Sequence, residues 1–336
     1  MVSVRDVATE AGVSVGTVSH ALNHPERVSP ENLSRVHAAI EQLGFVRNDA
    51  ARQLRAGRSR SIGLVVLDAG NPFFAEVARG AELAAAAAGL SVLVGNSVED
   101  PAREASYLDL FREQRVGGLL ITPTSDDPSA LLRLHESGTP VVLVDRDPGD
   151  SPFSSVSVND VLGGELAAEH LLARGRRRIA FVCGPSSLTQ VRNRLEGARR
   201  AVERCAGATL EVIERPALTV LEGRAAGDLL ADRSPVDRPD AVFCANDLMA
   251  VGLLQALVMS GRVRVPDEIA LVGYDDIDFA SATVVPLTSV RQPARLIGTT
   301  AVDLLLQQLG ARGAERRAVR FEPELVVRAS SGGQVG

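Results

Sequence analysis

Five side chains that can bind phosphates or nucleobases fall within ten positions near the start of the chain. They combine hydroxyl, imidazole and amide groups and include no carboxylate: Ser14, Thr17, Ser19, His20 and Asn23. Short donors of this kind suit phosphate oxygens, and a helix N-terminus adds backbone amides and a favourable dipole. The set therefore indicates a nucleic-acid interface. The alternative is the solvated face of an ordinary surface helix.

Two short helices joined by a glycine turn are predicted to carry these side chains. Ser3 can cap the first helix with Asp6 as its reciprocal partner, and Gly12 suits the left-handed position that ends it. Ser14 can then cap a second helix that runs to about Leu22. Its apolar positions, which we expect to pack inward, are Val15, Val18 and Leu22.

A third helix and a basic segment follow. Pro25 ends the second helix, and Ser29 with Pro30 can start a third that ends at Gly44. Residues 47–60 are polar and arginine-rich, with Leu54 as their one large apolar side chain. This segment is either a flexible basic linker or a short helix that is only marginally stable alone in water.

Charge is distributed unevenly along the chain. The whole chain has a net charge of −6, which by itself argues against binding to nucleic acid. The first 60 residues, however, carry eight Arg against six Asp and Glu, a net charge of +2, whereas the remainder carries 28 against 36, or −8. A weakly basic head on an acidic body is typical of a nucleic-acid-binding head carried by a soluble domain.

Composition predicts a soluble cytoplasmic protein of two or three domains. The 336 residues are 45% hydrophobic and 23% charged, as in ordinary globular proteins. Three widely spaced cysteines suit neither a disulfide framework nor a zinc site. No secretory leader opens the chain, and the longest uncharged run, residues 83–98, is broken by glycine and polar residues. We therefore expect no membrane segment.

From Ser61 onward, apolar strands alternate with helical stretches. Runs such as residues 62–67 are almost continuously apolar, as in buried parallel strands. Alternation of this kind predicts a parallel α/β fold, with two sheets given the number of strands. The candidate strands are Ser61–Asp68, Ser91–Ser97, Val116–Pro123, Pro140–Arg146, Ser155–Asp160, Arg178–Gly184, Ala241–Ala245, Ile269–Asp275 and Leu287–Arg291.

Polar side chains recur where these strands end. Ligands of open α/β sheets bind beyond the carboxyl ends of the strands, and converging polar groups there suit a small polar ligand. The side chains in question are Asn71, Asp145, Arg146, Asn159, Asp160, Arg192, Asn246, Asp275 and Asp276, with Phe73 and Phe74 beside the first strand. Structural roles are the alternative: Phe74 in a core, Asn246 capping a helix over residues 247–260, and Asp276 capping a turn.

Residues 3–60 resemble the headpiece of the LacI/GalR (lac repressor) family of bacterial transcription regulators. The matching motifs are Asp6-Val7-Ala8, Ala11 to Ser14, Thr17 to Asn23, Val28-Ser29, Leu43 to Phe45 and Asn48 to Leu54. The resemblance implies an all-α helix-turn-helix DNA-binding headpiece at residues 1–46, and a hinge helix and linker at residues 47–60. It also implies that Leu54 enters the minor groove as an apolar wedge, with Arg52 and Arg55 at the DNA.

The body resembles the core of the same family, which is similar to periplasmic sugar-binding proteins. It implies an α/β core of two lobes with doubly wound parallel sheets over residues 61–330. Lobe 1 is predicted at about 61–160 and 290–322, lobe 2 at about 161–289 and 323–330, and a loose tail at 331–336. The implied effector residues are Phe73, Phe74, Asp145, Arg192, Leu218, Asn246 and Asp275. Leu218 stands where many sugar-binding relatives have an aromatic side chain, which disfavours a simple hexose.

His20 departs from the family pattern, in which most relatives have arginine. The preceding readout positions, Val15 and Gly16, offer only a methyl surface and no side chain, so polar base reading would fall mainly on His20. Imidazole can reach guanine N7 or O6 through one hydrogen bond, without the bidentate geometry of arginine. We expect His20 to contact a guanine; the alternative is a phosphate contact. Ser14, Thr17, Ser19 and Asn23 are assigned to phosphates.

Three functions compete. The resemblance favours a repressor that binds a pseudo-palindromic DNA operator as a homodimer and responds to a small polar effector, either a sugar or a nucleoside- or purine-like molecule. A solute-binding protein of a transport system is the alternative, but it would carry a leader and no headpiece. An enzyme is disfavoured because no phosphate-binding glycine loop, GxSxG, HExxH or paired Cys/His motif is present. No cofactor or metal is expected.

Overall fold

The computed structural model describes residues 2–45, 59–310 and 315–332. The chain divides into two compact units, residues 1–58 and residues 59–336, called here the headpiece and the core. Arg52, Leu54 and Arg55, predicted to contact DNA, lie outside the described residues.

Within its described residues, 2–45, the headpiece has three α-helices: α1 (Val4–Ala11), α2 (Val15–Asn23) and α3 (Pro30–Leu43), with a 3₁₀ turn at Pro25–Arg27. The predicted capping is confirmed. Ser3 and Asp6 form a reciprocal capping box, and Gly12 has a φ of 61° in the left-handed region. Ser29 caps α3, and Gly44 ends it with a φ of 59°. These local signals determine where the helices begin and end, independently of long-range packing.

The headpiece core is small and apolar. Its buried side chains come from all three helices: Val7, Ala8, Ala11, Val18, Ala21, Val36 and Ala39. Val18 packs inward as predicted, and Leu22 is partly buried against this core. The expectation that Val15 packs inward is wrong, because its side chain is 46% exposed. Val13, from the turn before α2, packs against the core instead.

The core alternates strands and helices. Its helices are α4 (Pro72–Ala87), α5 (Pro101–Glu113), α6 (Ser129–Glu136), α7 (Asp160–Ala173), α8 (Thr189–Glu203), α9 (Val220–Asp232), α10 (Asp247–Ser260), α11 (Asp278–Ala282) and α12 (Ala294–Gly310). Its strands are β1 (Ser61–Val66), β2 (Ser91–Asn96), β3 (Leu119–Ile121), β4 (Val141–Val144), β5 (Ser154–Val158), β6 (Arg178–Cys183), β7 (Thr209–Glu214), β8 (Ala241–Cys244), β9 (Ala270–Asp275), β10 (Thr288–Arg291), β11 (Ala318–Phe321) and β12 (Glu324–Val326).

These strands form two six-stranded sheets, which confirms the two-lobed α/β prediction. The first sheet has the order β11-β5-β4-β3-β1-β2, and the second has the order β12-β10-β9-β8-β6-β7. All pairs are parallel except β10 with β12. The chain passes between the sheets after β5, after β10 and after β11. The second passage follows Arg291, the end of β10, so the boundary expected near residue 290 falls inside that strand.

Three strands were not predicted from the sequence: β7, β11 and β12. All three are edge strands, so each pairs with only one neighbouring strand. Strand β7 alternates charged and apolar residues, and only Ile213 in it is buried. Edge strands lack the continuous apolar runs that mark buried parallel strands, which is why the apolar criterion missed them.

No helix among the described residues combines the length and apolar character needed to cross a membrane.

Candidate functional site

The N-terminus of α2 is capped by the side chains that were assigned to phosphates. Ser14 Oγ accepts a hydrogen bond from the Thr17 backbone amide at 3.0 Å and lies 2.9 Å from Thr17 Oγ1. Capping of this kind holds the first turn rigidly, with its remaining amides directed outward. Ser14 and Thr17 therefore have a structural role in addition to any contact with DNA.

The other predicted DNA contacts share the exposed side of α2. Asn23 Nδ2 donates to the Ser19 carbonyl at 2.8 Å, so this amide is oriented by its own helix. The His20 side chain is exposed, and its ring centroid lies 6.2 Å from that of His24. Val15 and Gly16 are also exposed at the start of the helix. The structure thus brings these residues together on one helix of the headpiece.

A second candidate site lies in the core, between the two lobes. A cavity of about 30 Å³ lies where β1, β4, β8 and β9 end. Its lining consists of Leu67, Asn71, Phe73, Phe74, Asp145, Leu188, Gln190, Val191, Arg194, Leu218, Asn246 and Asp275. Six of the seven predicted effector residues are in this set: Phe73, Phe74, Asp145, Leu218, Asn246 and Asp275.

Arg192 is the exception, and Arg194 lines the cavity in its place. The Arg192 side chain is 40% exposed and points to the rim of the cleft. The buried face of α8 repeats at helical spacing: Gln190, Val191, Arg194, Gly197, Ala198, Ala201 and Val202. Two residues along a helix correspond to a turn of about 200°, so Arg192 lies on nearly the opposite face. The small and apolar residues of this face, which recur at helical spacing, were the sequence signal that Arg194 and not Arg192 turns inward.

Arg194 is the central cation of the cleft. Its Nε donates to Asp160 Oδ1 at 2.8 Å, and its Nη1 donates to the Ala245 carbonyl at 2.7 Å. The guanidinium carbon lies 3.7 Å from the ring centroid of Tyr274. Asp275 Oδ1 is 3.9 Å from Nη1. A buried guanidinium stays charged, so it holds neighbouring carboxylates and can donate to an oxygen of a ligand.

Close helix packing places this arginine. Helix α7 approaches α8 so tightly that a Cβ on Gly164 would lie 2.0 Å from the Arg194 carbonyl oxygen. Reciprocally, a Cβ on Gly197 would lie 1.9 Å from the Val161 carbonyl oxygen. Only glycine permits contact at this distance. The same approach brings Asp160, the first residue of α7, to the guanidinium of Arg194.

Each lobe supplies an amide side chain to a carboxylate of the other lobe. Asn71 of lobe 1 donates through Nδ2 to Asp275 Oδ2 of lobe 2 at 3.1 Å. Gln190 of lobe 2 donates through Nε2 to the carbonyl and to Oδ2 of Asp145 of lobe 1, at 2.9 and 3.0 Å. These reciprocal bonds, buried at the cleft, hold it closed around the cavity.

The carboxyl groups of the cavity differ from ordinary surface acids. Burial, reinforced by the charge of Asp160, raises the pKa of Asp145 to about 8. Burial also raises the pKa of Asp275 to about 6, although Arg194 opposes that change. Among the described residues, no group bonds to Asp145 Oδ1 or Gln190 Oε1. These two buried oxygens leave hydrogen-bonding capacity directed into the cleft.

Backbone conformation also marks the two cavity aspartates. Asp145 has a φ of 53° and Asp275 a φ of 106°, both outside the regions that side-chain-bearing residues prefer. Such conformations persist only where the surroundings enforce them, and they concentrate at functional sites.

Two of the alternative structural roles are also present: Phe74 is buried in the hydrophobic core, and Asn246 caps a helix. Asn246 Oδ1 caps α10 by accepting from the Met249 amide at 2.9 Å, while Nδ2 donates to the Leu218 carbonyl at 3.1 Å. Asn246 therefore both caps a helix and lines the cavity. Asp276 does not line it; it pairs with Arg291 and Arg328 at 2.7 and 2.6 Å. Among the described residues, no group of three His, Cys, Asp or Glu side chains could hold a metal ion.

The chain matches two known families, one in the headpiece and one in the core. Residues 3–48 match the family described as bacterial regulatory proteins, lacI family. Residues 168–331 match the periplasmic binding protein-like domain. The chain is 35% identical over 334 residues to the HTH-type transcriptional repressor PurR of Photobacterium profundum, covering 98% of each chain. It is also 35% identical to the ribose operon repressor of Escherichia coli K12, covering 98% of this chain and 100% of that one.

Solved structures show the same architecture over nearly the whole chain. The lac repressor dimer bound to operator and the anti-inducer ONPF matches with a TM-score of 0.83 at 29% identity, covering 98% of each chain. A lacI-family regulator from Silicibacter pomeroyi matches with a TM-score of 0.86 at 26% identity, covering 98% of this chain and 99% of the other. The chain therefore belongs to the lacI family of bacterial regulatory proteins, DNA-binding transcription regulators that join a helix-turn-helix headpiece to an effector-binding core.

Proposed function

We propose that this protein is a repressor that binds its operator as a homodimer and is controlled by a small polyhydroxylated effector, a sugar or nucleoside-like molecule, held in the cavity between the lobes. The observation that supports this assignment most directly is the buried set of opposed carboxyl, amide and guanidinium groups at the strand ends. We further propose that it acts in the cytoplasm by binding alone, without catalysis, cofactor or metal.

The chemistry of the cavity suits a ligand rich in hydroxyl groups. Asp145 and Asp275 accept hydrogen bonds from hydroxyls, and Arg194 donates to a ring or hydroxyl oxygen. Phe73 and Phe74, whose rings lie 5.0 Å apart, offer an apolar wall for the carbon face of a sugar ring. Leu218 supplies bulk without an aromatic face, which supports a pentose or nucleoside over a stacked hexose.

The size of the cavity explains how binding can change the conformation of the core. A cavity of about 30 Å³ holds roughly two water molecules, far less than a sugar. An effector must therefore break or replace the bonds of Asn71 and Gln190 as it enters. Because the ligand would favour a different separation of the lobes, its binding energy would shift the conformational equilibrium.

On the headpiece, we assign base reading to His20, with Val15 and Gly16 beside it, and phosphate contacts to Ser14, Thr17, Ser19 and Asn23. Leu54, Arg52 and Arg55 are proposed to contact the operator centre in the hinge segment. One headpiece reads only a few base pairs, so a symmetric dimer on a pseudo-palindromic site supplies the remaining specificity.

Operator selection combined with a ligand screen tests this proposal. The full chain would be used to select binding sites from random DNA and to footprint its own upstream DNA. The recovered sites would then be titrated with pentoses, hexoses, nucleosides and purine bases. We expect a two-fold symmetric consensus and a change in affinity with one ligand class. Binding as a monomer at full affinity, or turnover of the ligand, would contradict the proposal.

A further inference from the structure

A separate set of inter-lobe contacts lies at the rim of the cleft, outside the cavity lining. Asp126, between β3 and α6 of lobe 1, accepts hydrogen bonds from two side chains of α8 in lobe 2. Arg192 Nη2 donates to Asp126 Oδ2 at 2.8 Å, and Thr189 Oγ1 donates to Asp126 Oδ1 at 3.0 Å. These three residues are called here the rim clasp.

Each partner of the rim clasp is oriented by its own lobe. Arg192 Nη1 donates to the carbonyl oxygens of Ser186 and Ser187 at 3.2 and 2.7 Å, and Nη2 donates to Thr189 Oγ1 at 3.0 Å. On the other side, Arg146 of lobe 1 pairs with Asp126. The groups therefore lose little additional freedom when the lobes meet.

The carboxyl group of Asp126 stays ionised when it is in contact with Arg192 and Thr189. Burial opposes ionisation of Asp126, but the hydrogen bond from Thr189 and the guanidinium groups of Arg146 and Arg192 hold its pKa below its usual value. Asp126 is 63% exposed and Arg192 40% exposed. Water can therefore compete for both partners, which makes the contact easy to break and re-form.

Helix α8 carries both the rim clasp and part of the cavity lining. Gln190 and Arg194 lie on its buried face and line the cavity, whereas Arg192 lies on the exposed face. Movement of this one helix away from lobe 1 would break the contact with Asp126 and the contact between Gln190 and Asp145 together. Opening at the rim is thus mechanically linked to opening of the cavity.

We infer that the rim clasp is a gate on the effector cleft: it holds the lobes together while the cavity is empty and sets how readily an effector enters. Arg192 acts on the effector through lobe closure and not as a direct ligand. The inference rests on the proposed function only in taking the cavity as the effector site. Closure of the lobes can be measured without any ligand.

Hydrogen–deuterium exchange on the effector-free full chain tests the gate. The variants are Arg192→Gln, Asp126→Asn and Thr189→Val, which weaken the clasp from one lobe or the other; the last two keep side-chain size, and the first removes the guanidinium while keeping an unbranched polar chain. The matched control is Arg200→Gln, because Arg200 pairs with Glu196 at 2.8 Å within α8 and is similarly exposed. It leaves the contacts between the lobes intact.

The expected result is reciprocal. Arg192→Gln should accelerate exchange about two- to fivefold, the effect of one exposed ion pair, in residues 67–74 of the opposite lobe. Asp126→Asn should do the same in residues 245–250 of lobe 2. Exchange in the double variant Asp126→Asn/Arg192→Gln should be no faster than in the faster single variant, because both substitutions remove the same contact between Asp126 and Arg192.

Unchanged exchange in the clasp variants would overturn the gate, and so would two further results. One is acceleration confined to the segment that carries the substitution, which would show a merely local role. The other is equal acceleration in Arg200→Gln. The proposed function is judged separately by the ligand screen: if ligands bind but exchange does not change, the gate is wrong and the effector site stands. If exchange changes and no ligand binds, the gate stands and the effector assignment fails.

Discussion

The exposed face of α2 and the cavity of the core are both polar sites, but their side chains are held in opposite ways. On α2, the contacts are local: Ser14 caps Thr17 three residues on, and Asn23 bonds to Ser19 four residues back. In the cavity, Asn71 bonds to Asp275, which is 204 residues away. The α2 face is exposed to solvent, whereas most of the cavity groups are hydrogen-bonded to one another across the cleft.

This difference indicates how each site responds to its ligand. In the proposed function, the α2 groups contact DNA without rearrangement, so that affinity depends on direct contacts. The proposed effector groups of the cavity would instead exchange internal hydrogen bonds for bonds to the effector, which couples binding to movement of the lobes. Substitutions should therefore affect stability strongly in the cavity and weakly on α2.

The largest effect is expected from Arg194→Ala. It removes a buried cation and leaves the carboxylates of Asp160 and Asp275 without their charged partner, which should lower the free energy of unfolding of the core by about 3–5 kcal/mol. Arg192→Ala is the control, since loss of an exposed pair should cost about 0–1 kcal/mol. Urea denaturation followed by circular dichroism measures both. Equal losses of stability in the two variants would show that Arg194 does not hold the core together more strongly than Arg192.

A smaller effect is expected from Asp145→Asn, and it should depend on pH. The pKa of Asp145 is about 8 in the folded core and near its ordinary value of 3.8 in the unfolded chain. The folded state therefore binds the proton more tightly, and its free energy of unfolding falls as pH rises from about 4 to about 8.

Asp145→Asn should flatten this dependence and stabilise the effector-free core at pH 8 by roughly 1–3 kcal/mol. Comparing the two proteins between pH 7 and pH 8 keeps the measurement above most of the range in which Asp275 titrates, since its pKa is about 6. Parallel stability curves for wild type and variant would show that Asp145 does not bind its proton more tightly on folding.

The contrast between local and long-range contacts also explains what the sequence could predict. The caps at Ser3, Ser14 and Ser29 and the glycine stops are short-range patterns, and the structure contains all of them. The apolar runs predicted both sheets. The edge strands were missed because they carry charged residues and bury little, as in β7.

In the cavity, strand ends predicted where side chains would gather, but not which face of the next helix would turn inward. Arg192 and Arg194 are both arginines in the first turns of α8, and their chemistry is identical. What separates them is the close contact with α7 that Gly164 and Gly197 allow. Gln190 and Asn71 were likewise not singled out as lobe-bridging groups, because each has its partner in the other lobe.

On α2, His20→Arg should alter base preference and leave stability almost unchanged. An arginine can bond guanine O6 and N7 together, which is worth about 1–3 kcal/mol of discrimination, whereas an imidazole forms one bond. Site selection with both proteins should therefore return higher information at one position of each half-site for His20→Arg. The same consensus with the same information at every position would remove His20 from the base readers.

The smallest effect is expected from Ser14→Ala. The Thr17 amide would lose its acceptor at 3.0 Å, and loss of an N-cap costs typically about 1 kcal/mol. Amide exchange within α2 of the full chain should accelerate accordingly. Ser19→Ala is the control, because Ser19 lies inside the helix and caps nothing. If both substitutions have the same effect on exchange, Ser14 does not stabilise α2 as its N-cap.

The three passages of the chain between the sheets have a consequence for biosynthesis. Lobe 2 is built mainly from the continuous stretch of residues 160–291, whereas lobe 1 needs α12 and β11, more than two hundred residues after β1. A nascent chain emerging from the ribosome can assemble most of lobe 2 while lobe 1 still lacks a helix and an edge strand. Because domains generally fold as units during synthesis, the lobe that is encoded first must wait for α12 and β11, by which point lobe 2 lacks only its edge strand β12.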